Sequence, residues 1–257
     1  MTGVPEILQL SQDILFLNFI VFLRVGPVIA LFPGFGEETV PLRIKLALAL
    51  AFTVIVAPAV GPDLAETVQN PPHILRLILP ETAIGLLMGI GVRLFLLALQ
   101  TAGSIAAQST SLSQILGGAS ITPLPAMGHV LVTGAVALAM ILDLHVRVAE
   151  MAVLSYGVFP VARLPEAAIL SQWGIRQIAN AFAFAFTLSA PFVLVSVLYN
   201  LTLGIINRAM PQLMVVFVGA PAIAAAGLFM LMLLAPMMLT VWIEALQAFI
   251  TNPFGAQ

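Results

Sequence analysis

Cysteine is absent from the 257 residues, and with it go any disulfide framework, thiol nucleophile or thiolate metal site. Charge is nearly as scarce. Nine Lys and Arg and eleven Asp and Glu make 8% of the chain charged, where a soluble domain carries about 25%. The net charge of −2 offers no basic face, so nucleic acid is not expected as a partner. No basic stretch precedes the first apolar run, and Glu6 and Asp13 stand ahead of it. The N-terminus therefore does not read as a cleavable secretory signal, and the first segment is expected to remain in the mature protein. No phosphate-binding loop, HExxH, GxSxG or EF-hand pattern occurs. His73, His129 and His145 are scattered, none at i, i+4 from another, so neither a metal nor a cofactor is expected.

What is present is apolar: 61% of the residues are hydrophobic. So few charges cannot cover the core of a soluble protein this long, and lipid or other hydrophobic subunits must cover much of the surface. Six long apolar segments fall at about 14–32, 40–60, 74–100, 129–159, 177–199 and 210–250, each to be compared with the ~20 residues that span a bilayer core. Pro33-Gly34, Gly61-Pro62, Pro71-Pro72 and the Pro123/Pro125 pair read as the breaks. The runs are too long for barrel strands and lack sustained alternation, so the expected fold class is all-α, built of hydrophobic helices and helical hairpins. From Ala209 to Ile243 no charge occurs for 35 positions, about 52 Å as a straight helix against a ~30 Å hydrocarbon core. Pro221 and Pro236 are expected to split or kink that segment, and Pro191 and Pro80 to do the same to theirs. Acidic and basic residues share nearly every loop, so the Lys/Arg bias fixes no orientation.

The few ionisable residues inside apolar runs are the candidate assembly or buried ion-pair positions. Arg24 and Arg93 have no acid one turn away and call for a long-range partner, a subunit contact or snorkelling to an interface. Asp143, Arg147 and Glu150 stand at i, i+4 and i+3 spacing, so one helix would present all three on one face, with His145 on the other side. That face reads as a proton relay, a locking ion-pair network or a helix end outside the lipid. Gly85 and Gly89 form a GxxxG pair suited to close helix contact, a spacing that chance also produces among 19 glycines. From Leu94 to Leu142, 49 residues carry no charge at all. The polar middle of that stretch, about 104–126, suits a water-lined passage, polar groups satisfied inside protein, or a solvated linker.

Four stretches in order resemble the R component of the flagellar type III export gate, whose injectisome counterpart is the T component. They are FPGFGEETVPLRIKL (Phe32 to Leu46), Gly103 to Leu116 with its Gln108 and Gln114, LSYGVFP (Leu154 to Pro160), and GIINRAMPQLMVVFVGAP (Gly204 to Pro221). The Asn-Arg-x-x-Pro-Gln element, with Arg208 and Gln212, is the most specific. One departure is Thr122-Pro123 where that family commonly has Asp-Pro, which leaves the local loop conformation open.

The resemblance implies a single subunit spanning 1–257, not an enzyme, at the bacterial inner membrane in the flagellar basal body. It implies a hetero-oligomer of one such chain with several P and Q subunits, in contact with lipid and other export-apparatus membrane proteins. The assembly would form the entry portal for unfolded flagellar proteins. It further implies a pore plug, matched by position to Gln108, Ser109, Ser111, Leu112, Gln114, Ile115, Leu116, Pro123 and Pro125. The alternatives are an injectisome T component and, from another class, a proton-coupled secondary transporter using Asp143, Arg147 and Glu150. A carrier calls for inverted repeats, and no internal duplication is evident.

Overall fold

The computed structural model describes residues 3–37, 39–110, 126–210 and 215–255, with the side chains of 3–5, 215–218 and 220–221 outside that description. Among the described residues all regular secondary structure is helical, in seven helices. They are α1 (Gly3–Leu31), α2 (Leu42–Gln69), α3 (Ile74–Ser109), α4 (Ala126–Ile141), α5 (Leu144–Val158), α6 (Ala167–Ala209) and α7 (Val215–Thr251). Five are long and apolar enough to cross a membrane, and six spans result if α4 and α5 count as one bent span.

Several expectations on segment bounds meet a different helix plan. Helix α3 runs on to Ser109, so residues 104–109 of the neutral stretch are helical, and α4 takes up again at Ala126. The 129–159 segment is two helices, bent by 70° at Leu142-Asp143, where Asp143 adopts a left-handed φ of 56°. Asp tolerates that conformation better than most residues. The prolines do not split their helices: α3 is continuous through Pro80, α6 through Pro191 and α7 through both Pro221 and Pro236. Apolar surroundings favour this, because a backbone carbonyl released by proline has no water to turn to and the rest of the helix keeps its bonds.

The chain divides into two compact units. The first comprises residues 1–93, 140–177 and 247–257. Here α1 packs along α2, α2 touches α5, and the core stripe of α1 (Ile20, Val21, Val25, Val28, Ile29) repeats at helical spacing. Leu77, Ile84, Met88 and Val92 of α3 and Leu144, Val148 and Met151 of α5 complete this core. The second unit comprises residues 94–139 and 178–246. Its core runs through Leu96, Leu99, Ala102 and Ala106 of α3, Leu131 and Ala135 of α4, Leu188 and Phe192 of α6, and Trp242 of α7. The Trp242 indole donates to the Phe95 carbonyl at 2.8 Å, which satisfies its polar end in an apolar setting. Small residues allow close approach in this unit: a Cβ on Gly103 would meet the backbone of Gly128, and one on Gly227 would meet the Thr110 side chain at 2.7 Å.

Large apolar side chains stay exposed along several helices, among them Leu228, Phe229, Met232, Leu233 and Met237 on α7. An apolar surface this extensive is stable only against lipid or further protein.

Candidate functional site

The most elaborate polar site lies inside the first unit and is centred on Arg24 of α1. Its guanidinium is completely buried, as is the carboxylate of Glu81 of α3, and Nε donates to Glu81 Oε2 at 2.7 Å. Nη1 donates to Ser155 Oγ at 3.1 Å and Nη2 to the Phe159 carbonyl at 3.0 Å. The guanidinium carbon sits 3.7 Å from the Tyr156 ring centroid, a stacking that arginine's planar, weakly hydrated head favours. Ser155 in turn donates to the Ala152 carbonyl. Glu81 uses its second oxygen too, accepting from the Ala162 backbone N–H at 3.2 Å. Ala162 has a φ of 59°, so the carboxylate holds a loop conformation that an L-residue enters at a cost of roughly 1–2 kcal/mol.

Local sequence explains how these groups meet. Gly85 stands one turn beyond Glu81 on α3, and a Cβ there would run into the Arg24 carbonyl; Gly89, a turn further, lies against Leu31 and the Pro27 carbonyl at 3.1 Å. The GxxxG pair is thus where α3 meets α1, and the missing side chains bring the helices close enough for Arg24 to reach Glu81. The turn after α5 is held from the other side by aromatic packing. Phe159 meets Phe254 edge-on at 4.5 Å, Trp173 lies 5.5 Å from Phe254, and the Trp173 indole donates to the Pro253 carbonyl. A cavity of about 70 Å³ adjoins the centre, lined by Met151, Ser155, Ile250 and Phe254 among others, room for one or two waters.

Chemically, this arrangement holds helices together. The charge is neutralised, every oxygen of Glu81 is engaged, and three donor groups of Arg24 are matched with acceptors from α3, α5 and the loop beyond. Breaking such a pair from one side strands a buried charge, at a cost of about 3–5 kcal/mol.

The other candidates fare differently. Arg93 is half-buried, with no side-chain hydrogen bond or ion pair among the described residues. Asp143 lies ahead of α5 and not within it, so the expected single face of Asp143, Arg147 and Glu150 is not formed. The Asp143 side chain caps nothing, while its backbone carbonyl accepts from Val146 and Arg147. Arg147 and Glu150 do approach, at 4.0 Å, with both side chains more than half exposed, so the buried ion-pair alternative is not formed within this chain. His145 is half-buried beside them. A proton relay needs groups within reach of one another in a shielded place, and these four do not provide one. Arg208 is exposed in the last turn of α6, where its charge complements the helix dipole.

Gln108 and Ser109 form the end of α3, where the Ser109 carbonyl accepts from Ser196 of α6 and Asn200 donates to Ser196. Ser111, Leu112, Gln114, Ile115, Leu116, Pro123, Pro125 and Gln212 lie outside the described residues. Among the described residues no group of three or more His, Asp or Glu could hold a metal ion.

Sequence reasoning singled out Arg24 as needing a distant partner and did not identify Glu81 as that partner. It also missed Ser155, Tyr156 and Phe159 as the wall of the site, although all three stand in the LSYGVFP stretch. The available signal was an arginine with no acid one turn away in its apolar run and a glutamate in another run, although that second run also holds Arg76 and Arg93.

These features define an all-helical membrane protein whose best-formed polar centre organises packing. The family model for bacterial export proteins, family 1, matches residues 15–249, and the chain belongs to that family. It is 30% identical over 227 residues to the flagellar biosynthetic protein FliR of Caulobacter vibrioides, covering 88% of this chain and 90% of that protein. The FliR proteins of Escherichia coli and Bacillus subtilis are each 26% identical, over 227 and 222 residues, covering 86% and 82% of this chain and 85% and 83% of theirs.

Proposed function

We propose that this chain is a structural and gating subunit of the flagellar type III export channel in the bacterial inner membrane, with no catalysis of its own. The observation that carries this is the extent of the family match, which takes in all four motif stretches and both halves of the Arg24–Glu81 centre. The relatives described above bear flagellar names, which favours the flagellar machine over the injectisome. One copy joins several P and Q subunits to build the entry portal for unfolded flagellar proteins, and partners supply the energy. Exposed apolar surface on nearly every helix fits a chain that is completed by neighbours.

Native mass spectrometry tests this directly, on the tagged chain purified in mild detergent with the neighbouring export genes co-expressed. One copy of this chain with several copies of two small hydrophobic partners is the expected result. A lone monomer or symmetric homodimer overturns it and returns attention to a carrier. Within the same reading, residues between Gln108 and Pro125 plug the closed pore. Deleting 112–116 is expected to leave assembly intact and to raise resting ion conductance several-fold; an assembled complex with unchanged conductance removes the plug assignment.

A further inference from the structure

The last turn of α3 is finished by side chains, one of them from another helix. A helix end leaves its final carbonyls without intrahelical donors. Here the Ala106 carbonyl accepts from the Thr110 N–H and from the Ser109 and Thr110 hydroxyls, and the Ala107 carbonyl from the Thr110 hydroxyl at 3.3 Å. The Ser109 carbonyl takes its donor from α6, the Ser196 hydroxyl. That is a diversion. Thr53, Thr101, Thr187, Thr202 and Thr240 turn their hydroxyls back to the carbonyl four residues earlier in their own helix, the usual place for them in apolar surroundings. Asn200, one turn along α6, donates to the Ser196 oxygen at 3.2 Å, which leaves the Ser196 proton free to cross to α3. The next residue, Thr110, is buried on α7. A Cβ on Gly227 would meet its Cγ2 at 2.7 Å and its Cβ at 2.8 Å. All of these residues belong to the second unit.

Two features make this a fastening that can open. Its bonds are neutral, between hydroxyl, amide and carbonyl, and water can take each of them over with little net loss. The Arg24–Glu81 centre allows no such exchange, because parting it strands buried charge. Thr110 also rests on a glycine, with no side chain to interlock, so it can lift away without repacking α7. The exchange does need water, since a bared Ser109 carbonyl would stay unpaired in lipid. A passage that fills with water on opening supplies it. The tether on the other side of residues 111–125 is of a different kind. Gly103 of α3 lies against the backbone of Gly128 in α4, a close contact between helices that holds no polar bond to exchange. The end that can yield is the one at Ser109 and Thr110.

We propose that Ser196, Asn200 and Gly227 form a releasable latch on the end of α3, closed in the resting channel and opened during export. It rests on the proposed place of this chain in an export channel and deepens it, by naming a contact that must part.

Cysteine is absent from the chain, so Thr110→Cys with Gly227→Cys supplies its only two thiols. Their Cβ atoms would stand closer than the ~3.5–4.5 Å of a disulfide, which a small shift of α3 corrects. The pair is placed in the full complex of a flagellated host, treated with diamide and checked by peptide mass mapping. Expected is a disulfide in the assembled complex, a several-fold fall in secreted flagellar protein, and recovery with reductant. Either cysteine alone should leave export indifferent to diamide. Export that continues with the disulfide formed overturns the latch, and so does an assembled complex in which the two thiols do not join. Should the reduced pair itself export poorly, Ser196→Ala decides. Resting ion conductance several-fold higher in an intact complex, with Ser196→Thr near the unsubstituted value, supports the latch; unchanged conductance overturns it. A lock that stops export while deletion of 112–116 leaves conductance unchanged keeps the latch and removes the plug. An intact hetero-oligomer that ignores the lock loses the latch alone. If the unsubstituted chain forms no hetero-oligomer, the export-subunit reading and the latch have both failed.

Discussion

Arg24 and Arg147 each stand near one glutamate in the same compact unit, and the two pairs do opposite things. Arg24 meets Glu81 at 2.7 Å with both side chains fully buried, across 57 positions of sequence, and is walled by Ser155, Tyr156 and the Phe159 carbonyl. Arg147 meets Glu150 at 4.0 Å, three residues away, with more than half of each side chain open. The local pair was the easier one to see in the sequence and is the weaker in the structure. Where solvent reaches an open charge pair it gains little, because solvent screens it and two long side chains must be ordered. A pair sealed in an apolar interior has no solvent to fall back on, so each member becomes indispensable to the other.

The strongest way to break this contrast is to remove one buried partner. Glu81→Ala or Arg24→Ala is expected to destabilise the chain by about 3–5 kcal/mol, read by denaturant unfolding in detergent micelles or by folded yield. Arg24→Lys should recover little, since an ammonium cannot serve three acceptors and stack on Tyr156 at once. The double variant Arg24→Leu, Glu81→Leu should be less damaging than the sum of the single changes. Additivity of the two would show that the pair is not coupled.

Next in size is the close approach that lets the pair form. Gly85→Ala places a methyl against the Arg24 carbonyl, and overpacking of this kind costs roughly 1–3 kcal/mol. Ala at Gly174, where a Cβ meets nothing within 4 Å, is the control and should be silent or slightly stabilising. Equal effects at the two glycines would mean that α1 and α3 do not meet as described.

The same contrast explains what was legible beforehand. Helix type and approximate number follow from run length, because a bilayer-sized apolar run has few other ways to satisfy its backbone. The Gly85/Gly89 spacing was visible, but whether it faces a helix or lipid depends on a partner surface that no local pattern encodes. Arg24 was conspicuous, yet assigning it Glu81 as a partner needs the fold of α1 against α3. Conversely, the neat spacing of Asp143, Arg147 and Glu150 misled because it assumed one helix. The left-handed Asp143 ends that helix early, and nothing in a single sequence distinguishes an Asp within a turn of helix from an Asp that breaks it.

That corner gives a smaller, independent prediction. A β-branched residue cannot hold a φ of 56° cheaply, so Asp143→Val should cost about 1–2 kcal/mol while Asp143→Gly is close to neutral. If valine and glycine behave alike by thermal unfolding in detergent, the bend between α4 and α5 is not held at Asp143.

The smallest effect is expected at the exposed pair, and it separates folding from assembly. Arg147→Gln and Glu150→Gln should each change the stability of the isolated chain by less than ~1 kcal/mol, within the range of exposed ion pairs, and the effect should shrink further in high salt. Should either nonetheless lower the yield of the co-expressed complex, the loss cannot come from the fold of this chain and must come from a neighbour that covers the corner. A coupled carrier makes the reverse demand: Glu150→Gln should abolish ion-driven flux while leaving any complex intact. Measuring unfolding, complex yield and flux on the same two variants therefore tests the comparison where it is weakest, since an exposed pair has consequence only through what docks on it.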